Sequence, residues 1–362
     1  MMNQRQYRSG TLEKGLDVLE TLERAQDPLR IQDVASTTGL ERVAVFRLLC
    51  TLEDRGYIER LPDKRYRAKR RRRLSSVYYI APLTGNSFRL EVTAGIQRAA
   101  EGSGLELHLI DSSDTGLPQS QIEQVIEAGA DVVILFQRRG SLAHVFADRF
   151  FEAQIPVISV ETPIAGAIYF GGNSYRAGVL AGEALARFAK KYWNSSYDHL
   201  ALLESSLSAT ENMARLTGAV EGVAKVLGAV PNEKILHVDG LASREGSRSA
   251  CRKMLAALPK QDSVLISCFN DVSALGALEA VQEAGREKFV AIVGQNGTEE
   301  SRKELQRRSS ALIASVGYFP EQYGSRLMKL AVDIVTHQKT PLAIYTDHVL
   351  LHRGNLRKYY SA

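Results

Sequence analysis

The chain has 362 residues, with 46 Lys+Arg against 41 Asp+Glu and a formal charge of +5. An apolar share of 44% with 24% charged residues excludes wholesale disorder, and no stretch approaches the roughly 20 apolar residues of a membrane span. The charge is uneven, because residues 1–73 hold 17 cations and 11 acids while residues 74–362 hold 29 and 30.

The first ten residues, MMNQRQYRSG, lack the apolar core of a signal peptide. Cys50, Cys251 and Cys268 are odd in number and far apart, with no Cys-x-x-Cys pair. Neither a disulfide framework nor a zinc site is expected, and the cytoplasm is the expected compartment. Residues 11–24 place Leu12, Leu16, Leu19 and Leu22 at helical spacing, with Thr11 as a candidate N-cap. Asp27-Pro28 breaks that pattern. Residues 31–37 read as a second short helix, and Gly39 provides a tight turn that tolerates positive φ. A third helix covers about 41–55, with Val45, Leu48, Leu49 and Leu52 on its apolar side and Gly56 at its end. Residues 57–60 and 65–67 read as a hairpin. A cationic run of Lys69, Arg70, Arg71, Arg72 and Arg73 follows. Residues 60–73 carry nine cations against one acid, Asp63.

Two short helices joined at a turn glycine, then a hairpin, match a winged helix-turn-helix. Its recognition helix must bury one side and offer the other to a DNA groove. Arg42, Val43, Phe46 and Arg47 occupy the offered side. Lys64, Arg65 and Arg67 of the wing and the run 69–73 suit backbone phosphates. The competing reading is a small helical interaction module with a solvated charged face. The segments SGTLEKGLDVLETLE and IQDVASTTGLERVAVFRLLCTLEDRGYIER resemble the DNA-binding domain of IclR-type transcription regulators. That resemblance spans about residues 9–68. It implies a dimeric regulator whose third helix enters the major groove of double-stranded operator DNA, with paired half-sites forming a palindrome.

After residue 76 the rhythm changes. Apolar strand candidates at 77–81, 105–110, 132–136, 156–160, 199–203, 235–238, 263–268, 290–293 and 311–316 alternate with helix candidates at 91–102, 120–128, 142–153, 176–192, 213–227, 272–284 and 320–337. Alternation of this kind predicts parallel sheets covered on both faces, and the number of strands favours two sheets. Residues 79–96 and 202–220 share one plan, a strand, a polar loop and a helix bearing Gly95 or Gly218, as the opening unit of each of two lobes. The fold expected is an N-terminal winged helix-turn-helix (1–68), a basic linker (69–76), and a two-lobed α/β domain (77–356). Lobe 1 is expected over about 77–172 plus 318–344, and lobe 2 over about 174–316 plus 345–356.

The stretches NSFRLEVTAGIQRAAEGSGLEL, DVVILF, IPVISVETP, GGNSYRAGVLAGEAL, ARLTGAVEGV, CFNDVSALGALEAVQEAG and GQNGT resemble the type I periplasmic sugar-binding fold, which is also the effector domain of LacI-type repressors. Ligands of open parallel sheets sit beyond the carboxyl ends of strands. Asn86, Gln137, Glu161, Asn173, Arg215, Asn270 and Asn296 fall there, or in the loops those ends open. Phe88 aligns with an aromatic of the family's sugar platform, and Tyr318 lies on a segment crossing between lobes. The departures are Phe88-Arg89 for tandem aromatics, Glu161-Thr162 for Asp-Arg, and Gln295-Asn296 within GFDG. Arg89 and Arg215 together suit an acidic or phosphorylated ligand. Structural alternatives stand beside these roles. Arg215 could serve a buried salt bridge, Asn270 and Asp271 a helix cap, Asn173 a turn, and Phe88 the core.

No phosphate-binding Gly-x-x-x-x-Gly-Lys, Gly-x-Ser-x-Gly or His-Glu-x-x-His motif occurs. The seven histidines have no metal-ligand spacing. No cofactor, metal or catalytic residue is expected. The reading is a homodimeric transcription regulator that senses a small polar effector, a sugar or sugar derivative. A sugar kinase fused to a helix-turn-helix and a solute-binding transport protein are the alternatives.

Overall fold

A computed structural model describes residues 9–360, apart from 26, 69–73, 86, 102, 113–118, 138–139, 207–209 and 337. One compact unit comprises Met1–Arg73 and Val332–Lys339, and a second Leu74–Ala331 and Thr340–Ala362.

In the first unit, helices α1 (Gly10–Arg24), α2 (Ile31–Thr38) and α3 (Arg42–Asp54) precede strands β1 (Ile58–Arg60) and β2 (Tyr66–Ala68). Helix α1 begins one residue before the expected Thr11 cap, with Ser9 in the cap position. Asp33 receives the Arg30 N–H at 2.8 Å at the start of α2, and Gly39 ends that helix at φ 68°. Leu29 and Tyr66 exchange backbone hydrogen bonds of 2.9 and 2.7 Å, so the β1–β2 hairpin gains a third edge. The core joins Val18, Leu22, Val34, Val45, Leu49, Ile58 and Tyr66. Burying each of these contributes roughly 1.5–3 kcal/mol. The expected stripe on α1 is half right. Leu22 is buried, but Leu12 and Leu16 are 62% and 47% exposed. The buried seam runs through Val18 and Leu22, and Leu19 packs beside it.

The second unit contains two six-stranded sheets. Lobe 1 has the order β4-β3-β5-β6-β7-β13, from β3 (Ser76–Ala81), β4 (Glu106–Asp111), β5 (Val132–Leu135), β6 (Val157–Val160), β7 (Ile168–Gly172) and β13 (Ala343–Thr346). Lobe 2 has the order β9-β8-β10-β11-β12-β14, from β8 (His199–Glu204), β9 (Ile235–Asp239), β10 (Val264–Cys268), β11 (Val290–Asn296), β12 (Leu312–Gly317) and β14 (Val349–Leu351). Every pair is parallel except β12–β14. The inner apolar strands, such as β3, β5, β6, β10 and β11, are buried on both faces, as parallel sheets require, while the edge strands β4 and β9 are only partly buried. Strands β7, β13 and β14 were not expected. They are short, and β7 ends in two glycines, so periodicity gives them no signal.

Helix α4 (Ser87–Ala100) starts four residues before the expected helix. The polar helix α9 (Arg244–Ala257) was also not expected, because only Ser247, Cys251 and Leu255 form its buried stripe. The chain passes between lobes three times. It leaves β7 for α7 (Ser174–Tyr192), leaves β12 for α12 (Tyr323–Val335), and leaves β13 for β14. Gly95 on α4 meets the Gly324 backbone of α12, and Gly218 on α8 (Thr210–Leu227) meets the Tyr175 carbonyl of α7. The two glycines of the sequence pseudo-repeat therefore do the same task, a close crossing of each lobe's first helix with a helix that follows an interlobe passage.

Candidate functional site

In the first unit, α3 separates its residues by helical phase. Val45 and Leu49 are fully buried, while Val43 and Phe46 are 71% and 46% exposed. Arg42 and Arg47 share that exposed face, so the four residues expected to meet DNA lie together on one side of the helix. In the wing, Lys64 is exposed at φ 64°. Arg65 donates from Nε to Asp63 at 2.6 Å, and this bond helps hold the Asp63 carboxyl below its usual range. Arg67 donates to Glu59 at 2.9 Å. Both wing arginines thus have internal partners, which fix their direction without removing their charge. Lys69, Arg70, Arg71, Arg72 and Arg73 lie outside the described residues.

In each lobe of the second unit the strand order reverses beside the first strand, between β3 and β5 and between β8 and β10. Ligand crevices of open sheets form at such switch points. The carboxyl ends of β5 and β10 carry Phe136-Gln137 and Phe269-Asn270. An arginine from each lobe's first helix stands over the phenylalanine, Arg89 over Phe136 at 5.8 Å and Arg215 over Phe269 at 4.6 Å. A ring series links the two pairs. Phe136 meets Phe88 edge-on at 6.4 Å, Phe88 meets Tyr318 at 6.2 Å, and Arg215 lies 5.6 Å from the Tyr318 ring. Phe88, Arg89, Gln137, Glu161, Arg215, Asn270 and Tyr318 are all at least nine-tenths buried. Asn86 lies outside the described residues.

The expected polar residues differ in what holds them. Arg215 donates from Nη1 to the Phe269 carbonyl at 2.8 Å and from Nη2 to Ser174 Oγ at 3.2 Å. Its buried Nε has no hydrogen-bond partner among the described residues, and no carboxylate lies within ion-pair distance of it there. The salt-bridge alternative for Arg215 therefore does not describe this geometry. Arg89 donates from Nη1 to the Thr84 carbonyl at 3.3 Å. Gln137 donates to Ser112 at 3.4 Å, a long contact. Asn270 caps α10 (Asp271–Glu283) by accepting the Ser273 N–H at 2.8 Å, so its amide NH2 remains the donor it can offer. Asn173 caps α7 through the Arg176 N–H at 3.0 Å. Asp271 is no cap. Its carboxylate accepts from the Thr298 N–H at 2.7 Å and from the hydroxyls of Thr298, Ser301 and Ser315 at 3.1, 2.7 and 2.6 Å.

Glu161 stands at φ 61° just beyond β6. Its Oε1 accepts from the Gly172 N–H at 2.9 Å and the Tyr323 hydroxyl at 2.6 Å. It thereby ties the first interlobe passage to the start of α12. Burial raises its pKa, against the lowering effect of Tyr323, Arg215 and Gly172. The passages converge around two glycines. A Cβ on Gly172 would lie 2.2 Å from the Tyr318 ring, and one on Gly171 would lie 2.8 Å from Glu161 Oε1. The third passage contributes His348, whose Nε2 accepts the Asn173 N–H at 2.9 Å and whose ring lies 4.4 Å from Tyr318. Burial lowers the His348 pKa to about 4, keeping the ring neutral. Asn296 takes φ 113° at the end of β11, and its carbonyl accepts the Tyr318 N–H at 3.1 Å. Gln295 accepts the Tyr318 hydroxyl at 2.9 Å, leaving a buried Nε2 without a partner among the described residues.

The expectations omitted Phe136, Phe269, Gln295, Tyr323 and His348. The first two had a signal. VILFQ (133–137) and ISCFN (266–270) are the same strand, phenylalanine and amide in series. Among the described residues no group of three or more His, Cys, Asp or Glu could hold a metal ion, and no helix is long and apolar enough to cross a membrane.

Residues 77–339 match the family model of the periplasmic binding protein domain, and residues 11–62 match that of the IclR helix-turn-helix domain. Similar proteins include the ribose import binding protein of Bacillus subtilis (strain 168), 23% identical over 269 residues, or 72% of this chain and 81% of the relative. A 92-residue stretch is 32% identical to the D-allose-binding periplasmic protein of Escherichia coli (strain K12), covering 24% of this chain and 29% of that protein. Among solved structures, a periplasmic solute-binding protein from Actinobacillus succinogenes 130z with bound D-allose superposes with a TM-score of 0.68 at 18% identity, covering 79% of this chain and all of that one. A solute-binding protein from Bacillus halodurans C-125 with bound myo-inositol gives 0.67 at 19% identity, covering 79% and 97%. By the match over residues 77–339, the chain belongs to the periplasmic binding protein domain family and carries an IclR helix-turn-helix domain at its N-terminal end.

Proposed function

We propose that the chain is a transcription regulator. It binds palindromic operator DNA as a homodimer through its winged helix-turn-helix and senses a sugar or sugar derivative in the cleft between its lobes. The observation that carries this reading is one chain that pairs an IclR helix-turn-helix domain, whose third helix exposes Arg42, Val43, Phe46 and Arg47, with a periplasmic binding protein domain. Arg42 and Arg47 read base edges or phosphates, and Lys64, Arg65, Arg67 and the cations at 69–73 follow the DNA backbone. Asn86, Phe88, Arg89, Gln137, Glu161, Asn173, Arg215, Asn270, Asn296 and Tyr318 form the ligand shell or hold it in place.

Closure on the ligand shifts the two lobes about the three passages at Gly172, Tyr318 and His348. The switch draws its free energy from the ligand's preference for the closed state. The transport role in the relatives' names does not require a DNA-reading face, and the helix-turn-helix supports the regulatory reading over it. Gel-shift assays with palindromic fragments, half-sites one helical turn apart, test the proposal. Binding that weakens with salt and discriminates among sequences supports it. Absence of any duplex binding at low salt would refute the regulator.

A further inference from the structure

We infer that the cleft takes an anionic polyol, a sugar acid or sugar phosphate, in preference to a neutral sugar. This rests on the ligand-clamp reading above and narrows its ligand class. Among the described residues, the second unit buries five charged side chains, namely Arg89, Glu161, Arg215, Asp271 and Arg286. Arg286 lies by the amino ends of β10 and β11, held by the carbonyls of Leu255 and Asp262 at 3.1 and 2.8 Å. The remaining two arginines belong to the cleft, one from each lobe, over Phe136 and Phe269.

The two carboxylates are engaged inside the protein. Four donors surround Asp271, and Oε1 of Glu161 serves Gly172 and Tyr323. Donors are left over instead. Arg215 Nε and Gln295 Nε2 are buried without partners among the described residues, and Asn270 has spent its oxygen on the α10 cap. A ligand for such a wall must supply acceptors and negative charge, because a buried guanidinium binds a carboxylate or phosphate far better than a hydroxyl. The aromatic series Phe136, Phe88 and Tyr318 provides the apolar face for the C–H side of the polyol.

The test is a thermal-shift series on the full chain at constant ionic strength. D-ribose and D-allose are the neutral probes. D-ribose 5-phosphate, D-glucuronate and galactarate are the anionic ones, with inorganic phosphate as control. At least one anionic polyol should raise Tm by several degrees at millimolar concentration, well above phosphate and above both neutral sugars. Arg215→Gln and Arg89→Gln should each lower affinity for that anion at least tenfold, while Arg215→Lys and Arg89→Lys retain part of it. A purely structural arginine would not separate anionic from neutral probes. Urea midpoints establish that each variant is folded. Stabilisation by a neutral sugar equal to or above that of every anion overturns the inference and leaves the clamp intact. Stabilisation by phosphate alone, matching the polyol anions, overturns the polyol part. No response to any probe overturns both the inference and the sugar-clamp reading.

Discussion

The seam between α7 and α8 sets the position of Arg215, and Gly178→Ala tests it. A Cβ on Gly178 would lie 1.9 Å from the Arg215 carbonyl oxygen and 2.6 Å from its carbon. Restoring an ordinary 3.4 Å contact requires the helices to part by about 1.5 Å. Gly182, Gly218 and Gly222 make equally close backbone approaches along the same seam, so the helices cannot relax at one point alone. Overpacking of this kind costs roughly 1–3 kcal/mol. Alanine's better helix propensity returns up to about 1 kcal/mol.

The net expectation is a loss of up to about 2 kcal/mol, read as a Tm lower by up to roughly 8 °C. Separation of the helices also draws Arg215 away from Phe269, so ligand affinity should fall with stability. Gly15→Ala is the control of opposite sign. Its Cβ would meet only Leu48 Cδ2 at 3.7 Å, and the change should be stabilising by roughly 0.5–1 kcal/mol. Urea and thermal unfolding of both variants, followed by ligand titration, measure the pair. A Gly178→Ala protein as stable as the parent, with unchanged ligand affinity, would refute the close seam and its role in placing Arg215.

Three further expectations follow from the same geometry. His348 titrates at about 4 in the folded chain against 6.5 unfolded, so the unfolded state binds more protons between those values and stability must fall as pH drops from about 6.5 to 4. The loss is at most about 3 kcal/mol, and His348→Gln should flatten that part of the stability profile; an unchanged profile would contradict the buried neutral imidazole. Arg47→Ala should weaken operator binding by roughly 1–3 kcal/mol and relax specificity at one position, whereas an equal loss on all sequences would make it a phosphate contact. Alanine at all five cations of 69–73 should weaken binding to every duplex and reduce the logarithmic salt slope by up to about 4.5; an unchanged slope removes those cations from the DNA path.

The head was legible because its signals are local. Gly39, the Val45 and Leu49 spacing and the short wing sit within a few residues of one another, and helical phase alone separates Val45 from Phe46. The exception was α1, where four leucines at regular spacing hid the true seam through Val18. The apolar parallel strands were legible for the same reason that they are buried on both faces. The passages between lobes were not. Strands β13 and β14 owe their existence to pairing with β7 and β12, partners in the same sheet but more than 30 residues away in the chain. His348 gains meaning only when Asn173, 175 residues earlier, donates to it. The polar residues at strand ends were singled out by position alone, and among them Asn270 and Asn173 cap helices and Glu161 braces a passage. What a side chain spends on its own fold is set by neighbours that spacing does not reveal.

Ligand binding in the second unit should change the DNA affinity of the first. The direct measurement is operator affinity of the full chain at fixed salt, with and without the anionic polyol that gives the largest thermal shift. A change of at least 5-fold is expected, the lower bound of ordinary allosteric coupling, and it should disappear in Arg215→Gln. Equal operator affinity with and without a saturating ligand would contradict this coupling.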